Sequence, residues 1–167
     1  ISRLRETYRP ASAEQFKFES MNALVEEVHR LIATHLRHRN IAFAFEPDPS
    51  LPRMLVIRDQ VKQVLLNLCL NAVEAMQSGG QLRIETGFSA MSGEVMTAIT
   101  DTGIGINPTD IPSIFDPFFT KKEGGTGLGL FITYEIIQRH SGRIEVESEL
   151  SRGSTFRVWL PAVGAAQ

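Results

Sequence analysis

The chain has 167 residues, 43% hydrophobic and 22% charged, proportions that suit one packed domain. Its net charge of -2 argues against a binder of nucleic-acid backbones, which would be clearly basic. A lone cysteine, Cys69, rules out an internal disulfide framework and leaves a Cys/His zinc site unsupported, and no apolar run is long enough to span a membrane.

In chain order, Ile1, Leu4 and Tyr8 sit at helical spacing until Pro10. Residues 1–15 therefore read as the end of a preceding helix plus a linker, and the chain as a piece of a longer cytoplasmic protein. FKFES at 16–20 predicts a short strand. Residues 21–38 predict a helix with Leu24, Val28, Leu31, Ile32 and His35 on one face, capped by Ser20 or Asn22. Strands are predicted at 41–47 and 54–58, divided by three prolines, then a long helix from Asp59 to about Gln77. Residues 81–87 and 94–100 read as two strands, and 101–126 as an irregular stretch with glycines and prolines. A helix from about Thr126 to His140 and a hairpin of strands at 143–149 and 154–160 complete the domain, and 162–167 read as a loose tail. The expected fold is an α/β two-layer sandwich, a mixed and mostly antiparallel sheet with helices on one face, over residues 16–161.

The long helix carries an unusual stripe. Val61, Val64, Leu65, Leu68, Cys69, Ala72 and Met76 make a core face, and Leu66, Leu70 and Val73 make the opposite side apolar too. Between them run Gln60, Gln63, Asn67, Asn71 and Glu74. Asn67 and Asn71 are four apart and project the same way. A buried amide without partners costs about 1–3 kcal/mol, so the stripe is either a solvated groove or the polar wall of a ligand cavity. An amide oxygen is a hard, neutral ligand of the kind Mg²⁺ takes.

Two glycine-bearing loops follow. In DTGIGI, 101–106, Asp101 ends an apolar strand, and Gly103 and Gly105 permit close approach of a ligand to the backbone. The segment is a cleft whose aspartate accepts from an exocyclic amine, or a turn that reverses the chain. GGTGLGL, 124–130, puts Gly124, Gly125, Gly127 and Gly129 before a helix start, which makes a phosphate cradle or a hinge. It lacks the Gly-Lys-Ser/Thr of a Walker loop and fits a dinucleotide fingerprint badly. Between the loops, Phe115, Phe118 and Phe119 pin a lid, face another domain or form a satellite core, and Lys121 and Lys122 reach phosphates or solvent.

The order of these signals resembles the N, G1, F and G2 boxes of histidine kinases. QVLLNLCLNAVEAM, DTGIGI, FDPFFTKK and GGTGLGL fall in sequence, and GSTFRVWLP closes the chain. The wider superfamily holds gyrase B subunits, mismatch-repair ATPases, heat-shock chaperones and anti-sigma-factor kinases. The F-box phenylalanines favour histidine kinases, and FFTKKEGGTGLGL looks like the nitrogen-regulation type.

The resemblance implies a Bergerat-type ATP-binding fold with ATP and Mg²⁺. It implies that Asn71 holds the metal, with Asn67 beside it on phosphate or the metal shell. Asp101 would read the adenine amine, Gly103 and Gly105 would admit the base, and Thr155 would share that site. Gly125, Thr126, Gly127, Leu128 and Gly129 would border the phosphates. Many members carry a basic residue and an aromatic after the Asn-Ala pair, where this chain has Glu74 and Ala75. Lys121 or Lys122 is expected to substitute from the lid, Lys122 acting with Asn67 in catalysis.

The implied reaction moves the γ-phosphoryl of ATP to a histidine on a dimerisation domain of the same homodimeric parent, which then serves a response-regulator receiver domain. His29, His35, His38 and His140 lack the phosphoacceptor motif, so the chain alone is not expected to phosphorylate itself. The competing readings are a regulatory nucleotide module, a serine kinase of the anti-sigma type and an ATP-driven clamp.

Overall fold

The computed structural model describes residues 16–162, so the readings of 1–15 and of the tail after Ala162 lie outside it. Strands β1 (Phe16–Glu19), β2 (Ile41–Glu46), β3 (Met54–Ile57), β4 (Gly80–Ser89), β5 (Glu94–Asp101), β6 (Arg143–Glu149) and β7 (Gly153–Pro161) alternate with helices α1 (Met21–His38), α2 (Arg58–Ala75) and α3 (Gly129–Arg139). Five strands form one sheet in the order β2-β4-β5-β7-β6, and β1 pairs with β3 in a separate ribbon. The pairing of β2 with β4 is parallel, and the other pairs are antiparallel. This is the expected mixed sandwich.

Alternation sorts the sheet. Leu82, Ile84, Val95, Ile99, Phe156, Val158 and Leu160 point into the core beneath the helices. The other face carries Arg83, Glu85, Arg157 and Trp159. The edge strand β6 exposes Arg143, Glu145, Glu147 and Glu149. α2 packs between α1 and α3, which is why it is apolar on two sides. Cys69 is fully buried there, and burial pushes its thiol up to about 12, so it is a core residue and not a nucleophile.

Two sequence expectations need correction, and one pair of alternatives is decided. α1 buries Met21, Leu24, Val25, Val28, Ile32 and Leu36, whereas Leu31 is 57% exposed and His35 is exposed. The stripe is rotated toward Val25 and Leu36, one step from the face first drawn. Ser20, not Asn22, is the cap, its Oγ accepting from the Ala23 N–H. Asn22 instead donates to the Asp48 carbonyl and accepts from Thr86. Finally, α3 begins at Gly129, not Thr126, because Gly127 adopts φ +72, outside the right-handed helix.

His140 locks the start of α2 to the end of α3. Its Nδ1–H donates to the Ile136 carbonyl at 2.8 Å and its Nε2 accepts the Ile57 N–H at 3.1 Å. Both bonds together require the neutral ring, and burial lowers its pKa.

Candidate functional site

The site lies where the end of β5, the end of α2 and the start of α3 converge. Asp101 ends β5 opposite Ser154 of β7 and is only 6% exposed. Its Oδ1 accepts N–H bonds from Gly103 at 2.8 Å and Ser154 at 3.3 Å. Burial pushes this carboxyl above the ordinary carboxylate range, and the two N–H donors pull it part of the way back. Ser154 continues across the sheet to Ser148, the two hydroxyls 2.8 Å apart, and Ser148 Oγ accepts the Ile106 N–H at 2.7 Å. A polar row thus crosses β5, β7 and β6 on the helix side. An open depression lies beside the same strand ends, lined also by Thr100, Thr155 and Glu147, whose register puts them on the sheet face away from the helices.

Thr155 is not in that row. Its hydroxyl meets Thr100 at 3.0 Å, and both residues lie one position along from Asp101 and Ser154, on the opposite face. Ser154 is the residue that reading the sequence missed. The signal was present, because Phe156, Val158 and Leu160 assign even positions of β7 to the core face and Ser154 falls in with them.

The glycines of the first loop have reasons inside the protein. A Cβ on Gly103 would lie 2.5 Å from the Ala75 carbonyl oxygen, and one on Gly105 only 2.2 Å from that of Glu149. The close approach they permit is to the ends of α2 and β6. Ile104 N–H donates to Ala75 at 3.1 Å and Ser151 N–H to Ile104 at 2.8 Å, which fastens the loop on both sides.

On the helix side, Asn67 Nδ2 reaches the Gly129 carbonyl at 3.3 Å and the buried Thr133 hydroxyl at 3.4 Å. Asn67 therefore sets the start of α3, a role that needs Thr133, which the sequence did not single out. The N-cap of α3, Leu128, makes no side-chain capping bond, and nothing stands within 4 Å of a Cβ on Gly129. The first turn of α3 thus has no capping side chain from Leu128, and a helix N-terminus of this kind attracts anions.

Asn71 and Glu74 lie a turn apart at the end of α2. The Lys122 ammonium donates to Asn71 Oδ1 at 2.8 Å and pairs with the Glu74 carboxylate. Lys121 turns away to Asp110 at 3.7 Å, a long contact from an exposed ammonium and of little energetic weight. Residues 114–128 form neither helix nor strand. The Phe118 N–H donates to the Gly127 carbonyl at 2.9 Å, the Gly125 N–H to Lys122, and the Leu128 N–H to Thr126 Oγ1 at 3.4 Å. Phe115 is packed edge-on to Phe156 and Phe119 against the core, but Phe118 is 73% exposed.

The site thus joins a buried carboxylate at a strand end, the end of an asparagine helix and a helix start without a side-chain cap. The profile described as histidine kinase-, DNA gyrase B- and HSP90-like ATPase matches residues 57–164. The chain belongs to this family.

Its relatives are sensor kinases. It is 35% identical over its whole length to the sensor histidine kinase ZraS of Salmonella typhimurium, of which it covers 36%. It is 39% identical over 97% of its length to the sensor protein FixL of Bradyrhizobium diazoefficiens, of which it covers 32%. It is also 41% identical over 96% of its length to the signal transduction histidine-protein kinase AtoS of Escherichia coli, covering 26%. The chain thus spans about a third of the length of these relatives. Among solved structures, the catalytic domain of histidine kinase ThkA aligns with a TM-score of 0.78 at 35% identity, covering 88% of this chain and 95% of that one. ThkA in complex with the response regulator TrrA aligns at 0.76 and 32% identity, covering 89% and 42%. By these matches the chain belongs with the catalytic domains of histidine kinases.

Proposed function

We propose that this domain binds ATP with Mg²⁺ and presents the γ-phosphoryl to a histidine on a separate dimerisation domain of a homodimeric, cytoplasmically working parent. The observation that carries the reading is Asp101, a carboxylate buried at a strand end with Oδ1 committed to two backbone donors. Oδ2 would accept from the exocyclic amine of adenine, with Ser154 beside it. The uncapped start of α3, from Gly125 through Thr126, Gly127 and Leu128 to Gly129, would receive the phosphates.

The donor set suits the metal. Asn71 offers a hard neutral oxygen that already attracts an ammonium, so it would hold Mg²⁺, which neutralises phosphate charge when bound. Asn67 positions the start of α3, and Lys122 is the lid cation able to reach the phosphates. Residues 1–15 would join the dimerisation domain and 162–167 would be a tail. The parent would serve a receiver domain, as the ThkA complex with TrrA suggests. The lid phrase FFTKKEGGTGLGL supports placing it with the nitrogen-regulation type.

The test is calorimetry of a non-hydrolysable ATP analogue with and without Mg²⁺, then phosphotransfer to an added dimerisation domain. Binding with acid-labile phosphotransfer supports the proposal. Binding without transfer leaves a regulatory nucleotide module, and an acid-stable product indicates a serine kinase.

A further inference from the structure

The end of α2 has a charge that the family resemblance does not lead one to expect. Where many members carry a basic residue after the Asn-Ala pair, this chain carries Glu74. The last turn of α2 contains no basic residue at all. That turn also carries the partial negative charge of a helix C-terminus, so the local field favours a cation.

A cation is in fact seated there. Asn71 Oδ1 and the Glu74 carboxylate, three residues apart on one helix face, both engage the Lys122 ammonium. The two carriers are each about half exposed, at 48% for Lys122 and 49% for Glu74. A surface pair of this kind is worth at most about 1 kcal/mol, so the ammonium is easily exchanged.

We infer that Glu74 is a second oxygen donor, beside Asn71, to the divalent cation of the nucleotide, directly or through a water, and that Lys122 competes for the same seat. The inference rests on the nucleotide reading above and extends it to a residue that reading leaves unused. A divalent ion offers Asn71 and Glu74 twice the charge of the ammonium and brings phosphate with it. Its arrival frees Lys122 on the lid side of the site, where the phosphates need a cation. Metal entry and delivery of the lid lysine become one exchange. The acid at position 74 and the lysine at 122 act as a pair, replacing the fixed basic residue of other members.

The test is a titration of the whole chain with Mn²⁺ in the presence of a non-hydrolysable ATP analogue, read by the electron paramagnetic resonance signal of free Mn²⁺. Analogue binding in EDTA is measured in parallel. For Glu74→Gln we expect Mn²⁺ affinity to fall about thirtyfold, the effect of one charge on a divalent ion at roughly 4 Å in water, with metal-free analogue affinity not reduced. For Lys122→Ala we expect Mn²⁺ affinity to rise, because the competitor is gone.

The opposite signs are the test. If Glu74 only latches the lid, both variants release Lys122 and both raise Mn²⁺ affinity, which overturns the inference. Unchanged affinity in Glu74→Gln also overturns it, while the nucleotide reading survives on the wild-type binding. Failure of the wild-type chain to bind the analogue under any metal condition overturns the nucleotide reading itself, and this inference with it.

Discussion

Asp101 ends a central strand that is paired along both sides, whereas Lys122 hangs on a segment with no helix or strand of its own. Around Asp101, each group is fixed by more than one neighbour. Ser154 is placed by strand register, Gly103 by Ala75, and Ile106 by Ser148. Around Lys122, a handful of backbone bonds and one exposed ion pair hold the chain. The base side of the site is built with the sheet, and the phosphate side is adjustable. Recognition of the base needs a preset carboxylate, while capture and release of phosphate need a part that moves at little cost.

Two glycines of nearly equal φ test that contrast most severely. Gly105 has φ +75 and a backbone carbonyl 2.2 Å from where a Cβ would stand, whereas Gly124 has φ +76 and open space. Gly105→Ala should cost about 2–5 kcal/mol from strain and overpacking together. Gly124→Ala should cost about 1–2 kcal/mol from the backbone alone. Denaturant unfolding of the two variants measures the difference, and equal losses would break the comparison.

Next in size is Asp101→Ala. It should weaken binding of the ATP analogue by about 1.5–3 kcal/mol, roughly ten- to a hundredfold, as expected for a hydrogen bond to a charged group. Asn71→Ala should instead remove most of the Mg²⁺ dependence and leave metal-free binding. Calorimetry separates them, and identical effects would mean that the two sides of the site are not distinct.

The pH dependences sharpen the comparison further. Because the Asp101 carboxyl is raised by burial, analogue affinity should begin to fall at a pH above the ordinary carboxylate range as acid is added. His140 works on the fold. Its folded pKa is lowered from 6.5, so the unfolded chain takes up the proton first. Stability should be level above about pH 6.5 and fall below it until the folded ring itself protonates. Thermal melts of wild type and His140→Gln check this, and a wild-type curve flat through that range would contradict it.

The smallest effect belongs to Lys121. Its ammonium is exposed and 3.7 Å from Asp110, so Lys121→Ala should change stability by less than about 0.5 kcal/mol. A melt within error of wild type is the expected result.

What could be read in advance follows from what each residue's neighbours decide. The core face of α2, the closing hairpin and the motif order depend on local pattern, and the sequence shows them directly. The rotation of α1 depends on what lies beneath it, so Leu31 and His35 were assigned to the wrong face while Leu36 was missed. The start of α3 depends on the left-handed turn at Gly127, which fits under Phe118. Ser154 is legible from the alternation of β7, whereas Thr155 was named from the family resemblance, and the strand's alternation puts it on the other face. The contact of Lys122 with Asn71 spans 51 positions, and no local pattern signals it.

The outer edge of the sheet has a different consequence. β6 ends the sheet with Arg143 followed by Glu145, Glu147 and Glu149, all exposed on one side. An unpaired strand edge is normally an invitation to a second copy, and a row of charged side chains along it makes that pairing less favourable. Copies crowded to high density would meet these charged side chains before their backbones could pair, which disfavours edge-to-edge growth.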